Sequence, residues 1–211
     1  MNIAIVIFVK TPGISPLKTR LAATVGQEKA EDFYRLSLKS ITSTLKEIDI
    51  TPYWAVGEIQ GLNDPLWNQF NIMHTGEGNL GDRQNHVYNE LLKTFEAVFL
   101  IGGDAPQLSQ SIIEEAISQL KSHDYVIGPA TDGGYYLLGG RKEISTTVWS
   151  GTPWSHERTR ETLISKLDST PYQLESLTDV DTESDLEMML SEMPFDINAN
   201  QQKLKNWIKH L

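Results

Sequence analysis

Short apolar runs of strand length, each followed by a longer stretch with helical spacing, dominate this chain. Ile3–Val9 (IAIVIFV) is rich in Val, Ile and Phe and reads as a buried strand. After the loop KTPGISPLKTR, a helix is expected over Gln27–Ile48, with Ala30, Phe33, Ile41, Leu45 and Ile48 near helical spacing. Strands are expected at Thr51–Gly57 and Ala97–Ile101, with a weaker one at Phe70–His74. Helices are expected at Leu80–Phe95 and Ser109–Lys121, the latter capped by Ser109 or Ser111. Two further strands, Tyr125–Gly128 and Tyr135–Leu138, flank the turn-rich PATDGG. The remainder reads as a helix at Ser155–Leu167, a strand at Tyr172–Leu177, and helices at Asp181–Leu190 and Gln202–Leu211.

Strands alternating with helices predict an α/β fold around a mainly parallel sheet. The link between the Tyr125 and Tyr135 strands is too short for a crossover helix, so at least one strand should run antiparallel or lie off the sheet. No repeat or linker divides the 211 residues, and one domain is expected over 1–211.

Charge and cysteine content narrow the function classes. Eighteen Lys and Arg against 28 Asp and Glu give a net charge of −10. That argues against nucleic acid and against an anionic membrane surface as partners, while leaving room for a basic cleft that takes a small anion. With no cysteine, disulfides, thiolate metal sites and a cysteine nucleophile are excluded. A cytoplasmic location fits. The first apolar run is too short to span a bilayer and lacks the flanks of a signal peptide.

Ligands of open α/β sheets bind beyond the carboxyl ends of the strands, which directs attention to four loops that can converge on one crevice: Lys10–Arg20, Thr75–Arg83, Gly102–Pro106 and Pro129–Gly134. Lys10–Arg20 places Lys10, Lys18 and Arg20 within eleven residues of an acidic chain and is shaped by Gly13, Pro12 and Pro16. It suits phosphate, although a solvated turn into a helix has the same composition. Gly102-Gly103-Asp104-Ala105-Pro106 puts a carboxylate at the end of the most apolar later strand. A metal-ligand role for Asp104 is preferred over a turn or cap, because the two glycines admit a ligand. Asp132-Gly133-Gly134 fits either a hairpin turn or a hydroxyl or cation site. Asp179-Val180-Asp181 is a D-x-D that can hold a metal, while Asp181 or Thr182 can instead cap the following helix, and Thr182-x-x-Asp185 resembles a capping box. Two motifs are set aside. Gly76-x-Gly78-x-x-Gly81 matches a dinucleotide fingerprint, but Glu77 and a weak preceding strand oppose it. GISPLKT lacks the second glycine of a phosphate-binding P-loop.

Taken in order, KTPG…KTRLA, GEGNLGDR, IGGDAPQL, GPATDGGYYLLG, GTPWS and DVDTESDL resemble a bacterial family of GT-A-like transferases in the nucleotide-diphospho-sugar transferase superfamily. Some members are assigned as arsenosugar-biosynthesis glycosyltransferases, and 2-phospholactate guanylyltransferases are related. The similarity runs from Ile3 to about Leu190. The chain departs at Ala105, where the family commonly has Cys, and at His156, where it often has Thr. The resemblance implies a three-layer GT-A fold with a mixed, mostly parallel sheet. It also implies a nucleotide sugar or NTP as substrate, a small-molecule acceptor, and Mg or Mn as cofactor. Lys18 and Arg20 would meet the phosphates, with Lys10, Gly13 and Gly103 around them. Asp104 and Asp181 would hold the metal. Asp132, Gly133 and Gly134 would face the acceptor or sugar, with Asp132 and Lys18 in catalytic roles. Glycosyl transfer is the leading expectation and nucleotidyl transfer with release of pyrophosphate the alternative.

Overall fold

The computed structural model describes residues 1–211 and contains seven strands and eight α-helices. The strands are β1 (Ile3–Val9), β2 (Thr51–Val56), β3 (Asn71–His74), β4 (Ala97–Gly102), β5 (Tyr125–Pro129), β6 (Tyr135–Gly140) and β7 (Tyr172–Gln173). They form one sheet in the order β3-β2-β1-β4-β6-β5-β7. Only β6 runs against the others: its pairings with β4 and β5 are antiparallel, and the remaining four are parallel. The hairpin between β5 and β6 therefore supplies the reversed strand that its short link demanded.

The helices are α1 (Thr19–Val25), α2 (Gln27–Lys46), α3 (Leu80–Leu92), α4 (Gln110–Gln119), α5 (Thr146–Ser150), α6 (Thr159–Lys166), α7 (Glu183–Ser191) and α8 (Ala199–Ile208). Residues of β1 alternate between two cores, as period-2 geometry requires. Ile5 and Ile7 pack with Tyr34, Leu38 and Ile41 of α2 and Ile112 and Ile113 of α4. Ala4 and Val6 pack with Val87 and Tyr88 of α3, Trp149 of α5 and Leu163 of α6. The sheet is thus the middle of three layers. A third cluster joins Leu21 of α1, Phe33 of α2, Leu186 and Met189 of α7, and Leu204 of α8.

Several expectations change. The loop after β1 closes into α1, because Lys18 adopts a left-handed conformation (φ 46°, ψ 42°) that turns the chain into a new helix. The expected helix over Ser155–Leu167 begins only at Thr159. Residues 152–158 form a strap whose Ser155 has φ 55°, outside the helical region. A short helix, α5, precedes that strap and was not anticipated. The weak strand before GEGNLG does form, as β3 at the sheet edge, and is exposed at Asn71 and Ile72. The final strand is two residues long.

Candidate active site

The loops at the carboxyl ends of β1, β2, β3 and β4 enclose a cleft of about 450 Å³. Lys10, Lys18, Arg20, Gly103, Asp104 and Asp181 line it, from three segments far apart in sequence. Gly13, Asp132, Gly133 and Gly134 do not line it. Gly13 instead makes a left-handed turn (φ 81°) in the exposed loop. Lys10 is fixed through its backbone: its N–H donates to Tyr34 Oη (3.0 Å), and that hydroxyl donates to the Lys10 carbonyl (2.9 Å).

Lys18 is not a free phosphate hook. Its side chain is only 5% exposed, its Nζ lies 2.7 Å from Asp104 Oδ1 and 4.0 Å from Asp181 Oδ1, and it donates to the Val180 carbonyl at 2.5 Å. Arg20, 69% exposed, pairs with Asp181 Oδ2 at 2.6 Å. Two carboxylates from different loops thus converge on one ammonium.

Asp181 is free to face the cleft because it is not the cap. Thr182 occupies the N-cap of α7. The Asp185 carboxylate receives the Thr182 N–H (2.7 Å), the Thr182 hydroxyl (2.9 Å) and the Asp181 N–H (3.0 Å). Burial works to raise the Asp185 carboxyl, but those hydrogen bonds outweigh it and hold the group below the usual range. The Asp181 carboxyl is raised, chiefly by burial, with Lys18 and Arg20 opposing. Asp179, the first carboxylate of the D-x-D, is pushed up to about 8, first by burial and then by the charges of Asp104 and Asp132.

Asp132 belongs to the hairpin turn and also bears on this cluster. Its Oδ1 receives the Gly134 N–H (2.8 Å), and Gly133 has φ 91°. Its charge raises both Asp179 and Asp181. Gly133 has a further reason to be glycine, since a Cβ there would collide with the Glu157 backbone of the strap. Arg160 locks the turn from behind, donating through Nη1 to the Ala130 carbonyl (3.0 Å).

On the other wall, GEGNLG forms the approach to α3. Gly76 (φ 80°) and Gly78 (φ 95°) turn the chain, and Gly81 lies where a Cβ would strike the Trp154 indole. Asn79 caps α3 by accepting from Gly81 N (2.8 Å) and Asp82 N (3.1 Å). That cap turns Arg83 and Gln84 to the cleft. Arg83 ends the Thr75–Arg83 loop expected at the crevice, but sequence reasoning did not single out its side chain, which the structure places in the cleft wall. Its Nε donates to the Gly78 carbonyl (3.1 Å), and it forms no ion pair. The signal was present as a lone cation one turn into a helix that follows a glycine-rich loop.

Asp104 and Asp181 offer hard carboxylate oxygens already gathered around a positive charge, and this donor chemistry suits Mg or Mn. No group of three His, Cys, Asp or Glu side chains is close enough to form a complete protein cage. The remaining positions would fall to phosphate and water, as is usual for magnesium.

Residues 47–156 match the family model described as "Uncharacterized protein conserved in bacteria (DUF2064)". The chain is 26% identical over 133 residues to a 2-phospho-L-lactate guanylyltransferase of Methanocaldococcus vulcanius, a match covering 63% of this chain and 59% of that protein. A structure from Desulfovibrio desulfuricans G20, provisionally assigned as a nucleotide-diphospho-sugar transferase, superposes with a TM-score of 0.85. It is 26% identical, and the match covers 100% of this chain and 98% of that one. A CMP:2-keto-3-deoxy-manno-octonic acid synthetase complexed with CTP shares the fold (TM-score 0.59, 11% identity, 100% of both chains). No helix of the chain is long and apolar enough to cross a membrane.

Proposed function

Because the chain belongs to the bacterial DUF2064 family, whose model spans just over half of it, and has the fold of nucleotide-diphospho-sugar transferases, we propose that it is a metal-dependent transferase acting on a nucleotide-activated substrate. The observation that carries this reading is the meeting of Arg20, Arg83, Lys10 and the Asp104–Asp181 pair in one cleft at the carboxyl ends of the strands.

Arg20 and Arg83 approach from opposite walls, and their guanidinium forks suit phosphate oxygens or the acceptor edge of a base. Lys10, held by its backbone on Tyr34, adds a mobile charge at the mouth. Asp104 and Asp181 would hold a divalent cation, which when bound supplies charge neutralisation to the leaving diphosphate. Asp132 and Asp179 lie on the side of the reversed hairpin. There Asp132, whose Oδ1 is held by the Gly134 N–H, is the candidate to orient or deprotonate an acceptor hydroxyl.

Glycosyl transfer from a nucleotide sugar to a small acceptor is supported by the likeness to the Desulfovibrio protein over the whole chain. Nucleotidyl transfer to a phosphorylated metabolite is supported by the match to the guanylyltransferase. The products separate them: glycosyl transfer leaves a nucleoside diphosphate and nucleotidyl transfer leaves pyrophosphate. The test is a panel of nucleotide sugars and NTPs with Mn and candidate acceptors, followed by coupled detection of both products. A thermal midpoint that no member of the panel raises, with no product of either kind, overturns the proposal.

A further inference from the structure

Lys18 is the most constrained charged group in the cleft. Its ammonium donates to the Val180 carbonyl at 2.5 Å and lies 2.7 Å from Asp104 Oδ1, while Asp181 Oδ1 stands at 4.0 Å, within ion-pair but not hydrogen-bond range. The side chain is 5% exposed. Its backbone sits in the left-handed region (φ 46°), which non-glycine residues occupy only where the surroundings hold them. An ammonium buried and paired in this way is engaged by the protein and is not offered to a phosphate. Moving it to a phosphate would strip two carboxylates of their cation, and adding a divalent ion beside it would force two cations together.

We infer that Lys18 is the resident counter-ion of the Asp104–Asp181 pair, and that a divalent cation replaces it there, releasing the ammonium toward the phosphates of the bound nucleotide. Lys18 is thereby a positioning residue that couples cation binding to nucleotide binding. It holds the two carboxylates together in the nucleotide-free protein and lowers their affinity for metal until a nucleotide is present to receive the displaced charge. The inference rests on the metal-dependent reading above and goes beyond it by assigning an exchange.

The test measures Mn binding by electron paramagnetic resonance on the full chain, alone and with UDP-glucose, GTP and CTP as probes. Wild type should bind Mn weakly alone and at least tenfold more tightly with the nucleotide it accepts. Lys18→Met should bind Mn at least tenfold more tightly than wild type without nucleotide and lose most of the nucleotide-dependent gain. Lys18→Arg, which keeps a cation, should stay close to wild type. A second readout needs no variant: labelling of wild-type Lys18 by an amine reagent, followed by mass spectrometry. Lys18 should be protected in the metal-free protein and become reactive when Mn is added. Mn affinity unchanged in folded Lys18→Met, or Lys18 labelling unaltered by Mn that demonstrably binds, overturns the exchange while leaving the metal-dependent transferase intact. No Mn binding in any condition overturns both.

Discussion

The carboxylate of Glu192, at the end of α7, grips Thr178 at two points: its Oε2 receives the Thr178 N–H at 2.7 Å, and its Oε1 receives the Thr178 hydroxyl at 2.6 Å. Gln107 Nε2 donates to the same carboxylate at 2.9 Å and to the Thr178 carbonyl at 2.8 Å. Thr178 opens the segment that carries Asp179 and Asp181, and Gln107 closes the one that carries Asp104. One side chain therefore fixes both acidic loops. Glu192→Ala leaves buried donors without a partner and should cost roughly 2–4 kcal/mol in stability. It should also weaken nucleotide binding. Urea denaturation and a nucleotide titration under stabilising conditions check the two effects separately.

The raised Asp179 carboxyl sets a pH dependence of opposite sign to the usual carboxylate. Its folded-state value of about 8 lies above the ordinary 3.8, so between those values the folded protein holds a proton that the unfolded chain has lost. Stability contributed by this group therefore falls as pH rises from about 4 to about 8, with a limiting slope of roughly 1.4 kcal/mol per pH unit. Asp179→Asn should remove that decline. Melting curves of the two proteins from pH 5 to pH 8.5 should diverge, with the variant gaining at the alkaline end. Parallel curves would show that Asp179 titrates normally.

Arg20 and Asp181 form an exposed pair on the guanidinium side, which contributes only about 0–1 kcal/mol to stability. Arg20→Ala should leave the melting temperature nearly unchanged yet weaken nucleotide binding by roughly 1.5–3 kcal/mol through loss of a charged hydrogen bond. Arg83→Ala should do the same from the opposite wall. Isothermal titration with the accepted nucleotide decides both, and unchanged affinity in a folded double variant removes them from the site.

Gly81 packs beneath Trp154, whose indole stacks on Trp149 with ring centroids 5.9 Å apart. Gly81→Ala should cost about 1–3 kcal/mol by overpacking. NAD, NADP and FAD should show no saturable binding to wild type, since the third glycine of the fingerprint serves this aromatic contact. Tight binding of any of them would displace the transferase reading.

Alternation of apolar runs with helical spacing was enough to define a mainly parallel α/β sheet, because buried strands and helices leave periodic traces in the chain itself. The short link after Tyr125–Gly128 left at least one strand either antiparallel or off the sheet, and the structure makes it β6, antiparallel within the sheet. Loop residues at strand ends were legible for the same reason, and Lys18, Arg20, Asp104 and Asp181 do meet in the cleft. What each does there was not legible. Lys18 and Asp104 both read as ligand-binding groups, and only the left-handed turn at Lys18 brings the two together as an ion pair. Asp181 had two possible roles until Asp185 was seen to serve the helix end. Asp179 read only as part of a D-x-D, because its proton affinity depends first on burial and then on carboxylates contributed by Asp104 and Asp132, 75 and 47 positions earlier in the chain. Secondary structure is written in local periodicity. Charge state and side-chain partners depend on distances across the fold, and only the tertiary structure sets those.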